Sequence, residues 1–296
     1  MVGKLSRESR PLGKSGILVS PIAWGMWRLA GEPADARALA EAALDAGITL
    51  FDTADIYGAQ EQGGFGAAET LFGRILAETP GLRDRIVLAT KGGIVPGVPY
   101  NSSAGYLDRA IEASLRRLGV EQVDLWQVHR PDLLAHPQEL AATLERFVTS
   151  GKARAIGVSN FTPAQVAALE SFLTVPLASI QPEFSPLYTA PLWDGTLDAA
   201  MARDHAVLAW SPLGGGRIAQ GQGDAADLLA AKAEASGVSV AAATYAWAMA
   251  HPARIIPIVG SQRAERIRES ADAFRVEWTR VEWYKVLEAA TGQKLP

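Results

Sequence analysis

The chain contains no cysteine. That excludes disulfides, thiolate nucleophiles and Cys-ligated metals. Basic residues never run longer than a pair such as Arg116–Arg117, and the net charge is −4, so no nucleic-acid partner is expected. No apolar run approaches the length of a membrane span, so no membrane association is expected. The opening "MVGKLSRESR" is charged and lacks the apolar centre of a secretory leader. We therefore expect a cytoplasmic protein. No strand–G-x-G-x-x-G–helix unit, low-complexity stretch or domain linker interrupts the chain, and no metal is expected.

What is present is a long series of alternating segments. The 296 residues are 48% hydrophobic, enough to bury a large core. Strand-like runs occur at "PIAWGMW" (21–27), "TLFD" (49–52), "IVLATK" (86–91), "VDLWQVH" (123–129), "ARAIGVS" (153–159), "LASIQPE" (177–183), "VLAWS" (207–211) and "IIPIVG" (255–260). A helix-like run follows each. Over 103–119, Leu107, Ile111, Leu115 and Leu118 share one helical face; Ser102 or Ser103 is the N-cap and Gly119 the stop. The next helix opens at Pro137, closes at Gly151 and turns Leu140, Leu144, Phe147 and Val148 inward. In "TPAQVAALESFL", Thr162 is the N-cap, Pro163 suits the first turn, and Gln165 completes a capping box.

The middle strands are nearly continuous in apolar residues, as strands covered on both faces should be. Eight strand–helix units in this length fit a closed (β/α)8 barrel of a single domain, residues 1–296, better than an open doubly wound sheet. The first twenty residues are expected to add a hairpin across the barrel bottom.

Polar residues gather where such a barrel builds its sites, at the C-terminal ends of strands. Asp52, Lys91, His129, Ser159, Asn160, Gln181 and Ser211 all fall there. Any one of them alone reads best as a solvated loop residue; so many strand ends together do not. Lys91 at a crowded mouth needs a counter-charge, which Asp52 on the neighbouring strand can supply. Tyr57 lies on the loop beyond Asp52. A free tyrosine, with a pKa near ~10, is a weak acid at neutral pH. A nearby ammonium stabilises its phenolate and makes it a better proton donor. His129 can hydrogen-bond a substrate oxygen.

Taken in order, "FDTADIYG", "LATKGG", "DLWQVHRPD", "GVSNFTPAQ", "AWSPLGGGR" and "PIVGSQRAERIRES" resemble the aldo-keto reductase family, in particular a bacterial oxidoreductase branch. The likeness runs from about residue 12 to 275. It implies a (β/α)8 barrel that binds NADP(H) without a Rossmann domain. It implies that Tyr57 is the general acid/base, Lys91 lowers its pKa, Asp52 holds Lys91, and His129 orients the carbonyl. Ser159, Asn160 and Gln181 would grip the nicotinamide carboxamide, Trp210 would stack on its ring, and Met26 would join the cofactor contacts. Ser211, Pro212, Leu213, Gly214, Gly215, Gly216 and Arg217 would wrap the pyrophosphate, because consecutive glycines let backbone N–H groups approach phosphate. Gly260, Ser261, Gln262, Arg263, Arg266 and Glu269 would surround the adenosine end, at the start of a helix.

Three departures from the family pattern matter. Gly260 stands where many members have lysine, which shifts the reading of the adenosine 2′-phosphate to Arg263 and Arg266. Ser270 replaces the usual asparagine near the adenine. Longer family members shape the substrate pocket with a C-terminal loop, and little chain follows the helix in "RVEWTRVEWYKVLEAA" to build one. The expected activity is NADPH-dependent reduction of an aldehyde, ketone or α-dicarbonyl in a pocket lined by Trp27, with a small-molecule partner. Two rivals are a non-catalytic NADP-binding sensor and a barrel lyase forming a Schiff base through Lys91. The sensor would have lost the four catalytic residues, which are all present. The lyase would need a depressed lysine pKa, which a neighbouring Asp52 opposes.

Overall fold

The computed structural model describes residues 4–59 and 63–295. In chain order, a short antiparallel pair comes first, β1 (Arg10–Pro11) and β2 (Leu18–Val19). Then β3 (Ala23–Gly25), α1 (Pro33–Asp45), β4 (Leu50–Asp52), α2 (Ala67–Glu78), β5 (Val87–Gly92), α3 (Ala104–Leu118), β6 (Val123–Val128) and α4 (Pro137–Thr149) alternate. The series continues with β7 (Ala153–Ser159), α5 (Pro163–Glu170), β8 (Leu177–Gln181), α6 (Thr196–Arg203) and β9 (Ala206–Ala209). The helices α7 (Ala226–Ser236) and α8 (Val240–Met249) precede β10 (Ile256–Val259), α9 (Ala264–Glu269) and α10 (Arg280–Thr291). Strands β3 to β10 pair in parallel, and β10 returns to β3, closing an eight-stranded barrel.

Strand alternation sorts the side chains into two cores. Ala23, Leu50, Ala89, Leu125, Ala178, Leu208 and Ile256 fill the barrel. Trp24, Phe51, Leu88, Trp126, Ile156 and Ile180 face the surrounding helices. Both faces are therefore buried, which explains the unbroken apolar runs in sequence. Gly157 on β7 is required by packing: a Cβ there would meet Ser179 Oγ at 2.2 Å.

The hairpin closes the bottom of the barrel. Leu12, Ile17 and Val19 are buried in the interior cluster, and a Cβ on Gly13 would strike the Ala178 carbonyl at 2.3 Å. Gly13 has φ +53°, a conformation glycine tolerates without strain. Each plugging side chain contributes about 1.5–3 kcal/mol by burial. Residues 1–3 of this lead-in lie outside the described part.

Caps behave largely as the sequence implies. Thr162 and Gln165 form the capping box of α5, and Gly119 ends α3 at φ 66°. Ser103, not Ser102, is the N-cap of α3, and its hydroxyl donates to Asn101 instead of capping the helix. Ser102 gives its backbone N–H to Asp132 Oδ2 at 2.8 Å. The His136 ring unexpectedly caps α4 by accepting from the Gln138 N–H. The seventh unit carries two helices, α7 and α8, because Gly237 ends α7 at φ 61° and Ser239 caps a new start. Among the described residues no helix is long and apolar enough to cross a membrane.

Candidate active site

Asp52 ends β4 on the inward register shared with Leu50, and Lys91 shares the inward register of β5 with Ala89. Their strands are neighbours in the barrel, so the two side chains meet above the apolar plug. Lys91 Nζ donates to Asp52 Oδ2 at 2.5 Å and to the Thr53 carbonyl at 2.9 Å, and both side chains are almost fully buried. Burial is the largest influence on Lys91 and disfavours its charge; Asp52 and Tyr57 together outweigh it and hold the ammonium above its usual range. A buried ion pair persists only where further hydrogen bonds satisfy it. Gln181 Nε2 supplies one to Asp52 Oδ1 at 3.0 Å, and Gln127 Nε2 a longer one at 3.4 Å.

Tyr57 sits on the turn after β4, with the Lys91 ammonium 5.0 Å from its ring centroid. The His129 ring meets it edge-on at 5.7 Å between centroids. The sequence reading expected a Tyr57 pKa lowered by Lys91. The structure gives a raised one: burial pushes the phenol up, and Lys91 is the largest opposing influence. The lysine thus moderates an upward shift. His129 is held neutral, pushed well below its usual pKa by burial and then by the Lys91 and Arg130 cations. Its Nδ1 is buried without a partner among the described residues.

A chain of hydrogen bonds links this centre to Trp210. Ser159 Oγ donates to the Gln181 carbonyl at 2.8 Å, and Asn160 Nδ2 donates to Ser159 Oγ at 2.8 Å and to the His129 carbonyl at 3.2 Å. The Trp210 indole N–H donates to Asn160 Oδ1 at 2.9 Å. Asn160 has φ 61°, a left-handed backbone that asparagine tolerates better than most residues. The three residues expected to grip a carboxamide therefore hold each other, Asp52 and Trp210.

The expected cofactor loop is built for backbone approach. A Cβ on Gly215 or Gly216 would meet no atom within 4 Å, whereas one on Gly214 would meet Leu187 at 2.6 Å. Ser211 has φ 53°, and Arg217 donates to the Gly214 carbonyl at 2.8 Å. Pro212 is buried and Leu213 half-buried at the base of the loop. Gly260 is likewise open, and Ser261 Oγ accepts from the Arg263 N–H at 3.2 Å. Arg263, Arg266 and Glu269 are exposed, and among the described residues none forms an ion pair. Gln262 Oε1 is buried without a partner among the described residues. These residues fit a phosphate-bearing cofactor lying from Trp210 to α9. Two do not offer their side chains to it. Met26 is fully buried in the outer core, and Ser270 is buried with its hydroxyl on the Ile267 carbonyl at 2.6 Å. Trp27 is 58% exposed at the mouth.

Several residues escaped the sequence reading. Gln127 was signalled only by its place two residues before His129, on the same inward register. Asp55 follows Asp52 by three residues yet has a different environment. Its carboxyl is 1% exposed, neither oxygen has a partner among the described residues, and burial, then Glu69, pushes its pKa well up.

Residues 21–290 match the model of the Aldo/keto reductase family. A 6-dehydroglucose reductase from Novosphingobium aromaticivorans is 58% identical over 294 residues, covering 97% of each chain. Another 6-dehydroglucose reductase, from Agrobacterium fabrum, is 38% identical over 94% of this chain and 96% of its own. The solved structure of a glycerol dehydrogenase from Gluconobacter oxydans matches with a TM-score of 0.84 at 27% identity, covering 99% of this chain and 98% of that one.

Proposed function

The chain belongs to the aldo/keto reductase family and is an oxidoreductase, and we propose that it reduces sugar aldehydes with NADPH. The observation that carries the chemical half is the buried Lys91–Asp52 pair beside Tyr57 and His129. The substrate half rests on the two 6-dehydroglucose reductases to which the chain is similar.

When bound, NADPH supplies a hydride to the carbonyl carbon. The protein's residues manage the proton and the geometry. Tyr57 gives its hydroxyl proton to the carbonyl oxygen. The phenolate left behind is stabilised by the Lys91 ammonium, which Asp52 keeps charged. Neutral His129 donates a hydrogen bond to the same oxygen and adds no charge of its own. Trp210, locked by Asn160, offers a ring face for the nicotinamide, and the open glycines at 215 and 216 admit the pyrophosphate. A Schiff-base role for Lys91 is disfavoured, since a lysine held charged is a poor nucleophile.

The test is NADPH oxidation with a panel of aldehydes, run on the wild type and on Tyr57→Phe. General acid catalysis contributes about 10²–10⁴-fold, so the variant should lose that order of turnover while still binding NADPH. Substantial turnover by Tyr57→Phe would assign the proton to another group.

A further inference from the structure

Two charged side chains at the barrel mouth touch none of the four central residues' hydrogen bonds, although Arg130 helps hold His129 neutral. Arg130 follows His129 directly, is half-buried, and holds its guanidinium 5.6 Å from the Trp210 ring centroid. Glu183 is also half-buried and pairs in register with Trp210: the Trp210 N–H donates to the Pro182 carbonyl at 3.1 Å and the Phe184 N–H to the Trp210 carbonyl at 3.3 Å. Gln181, two residues earlier, points inward to Asp52, so strand alternation turns Glu183 to the same side. Arg130 follows β6 and Glu183 follows β8, two strands apart in the barrel, and both lie beside Trp210 at the end of β9.

Neither is satisfied by another of the described residues. Among the described residues, Arg130 and Glu183 form no ion pair with each other or with any other group, and their side chains make no hydrogen bond. Burial raises the Glu183 carboxyl, and Arg130 and then Arg217 oppose that shift without contact. Arg217 spends its Nε–H on the Gly214 carbonyl. A half-buried donor fork and a half-buried acceptor thus face the mouth, one of each sign.

Resting on the reductase reading, we propose that Arg130 and Glu183 are a specificity pair that selects neutral polyhydroxylated aldehydes and rejects phosphorylated ones. A sugar hydroxyl both donates and accepts, so adjacent hydroxyls serve a guanidinium and a carboxylate together. A phosphate serves Arg130 and is repelled by Glu183. An aryl aldehyde serves neither and leaves both desolvated. Aromatic aldehydes are therefore the poorer fit.

The test compares three probes, DL-glyceraldehyde, glyceraldehyde 3-phosphate and nitrobenzaldehyde, with NADPH affinity measured by fluorescence in every variant. Arg130→Met should raise the KM for glyceraldehyde about tenfold or more, the scale of one lost charge-assisted hydrogen bond. NADPH should be unaffected, and nitrobenzaldehyde should lose nothing, since it no longer leaves a guanidinium desolvated. Glu183→Gln should lower kcat/KM for glyceraldehyde and raise it for the phosphate, shrinking the preference about tenfold. Equal losses on glyceraldehyde and nitrobenzaldehyde would overturn the proposal. So would weakened NADPH binding in either variant, which would assign these residues to the cofactor. A wild type inert to all three aldehydes would overturn the reductase reading itself.

Discussion

The indole N–H of Trp210 donates to Oδ1 of Asn160 at 2.9 Å, and this bond fixes the plane of the ring at the barrel mouth. A tyrosine in its place would have no ring N–H to give. The bond makes Trp210 the end of a continuous line through Asn160, Ser159 and Gln181 to the Lys91–Asp52 pair. Stacking is favoured when the platform is already oriented, because no rotamer entropy is lost on binding.

NADPH binding should therefore quench tryptophan fluorescence. The chain has eight tryptophans, so Trp210→Tyr provides the comparison. That variant should bind the cofactor and lose part of the quench. A quench of unchanged depth would place Trp210 away from the nicotinamide.

Lys91→Met should destabilise the fold by roughly 3–5 kcal/mol, since it leaves the Asp52 carboxylate buried and uncompensated. The double variant Asp52→Asn/Lys91→Met should recover much of that loss, because no buried charge remains. Urea unfolding of the three proteins measures both. The Lys91 contribution also has a pH window: with its folded pKa raised, it is fully present below the unfolded value of ~10.4 and is lost as pH rises through the folded value. A Lys91→Met protein as stable as wild type would show that the pair adds nothing to stability.

His129 predicts the opposite limb. Its folded pKa lies well below the unfolded value of ~6.5, so its contribution is present above that value and is lost as pH falls. Stability should fall more steeply with acid in the wild type than in His129→Gln. Parallel curves for the two proteins would mean that the ring protonates as readily folded as unfolded.

Cofactor preference should rest on Arg263. It is exposed at the start of α9, with Gly260 contributing no charge nearby. Charge-assisted hydrogen bonds to phosphate are worth about 1.5–3 kcal/mol, so Arg263→Ala should raise the KM for NADPH by roughly tenfold or more. The KM for NADH should barely move. Equal effects on both cofactors would assign Arg263 to the fold or the pyrophosphate.

Much of this protein was legible from local pattern. The eight apolar runs, the capping box at Thr162 and Gln165, and the polar residues at strand ends are properties of neighbouring residues, and short-range geometry is enough to read them. The placing of Asp52, Tyr57, Lys91 and His129 in one centre also followed, because a closed parallel barrel brings all its strand ends to one rim. What the sequence could not decide is which polar atoms meet across that rim. Gln181 binds Asp52, Asn160 binds Trp210, and Met26 and Ser270 turn into the core, because inward register and burial are set by strands far apart in the chain. The net rise in the Tyr57 pKa has the same origin: the lysine was visible in sequence, but the desolvation that outweighs it exists only once the barrel has closed.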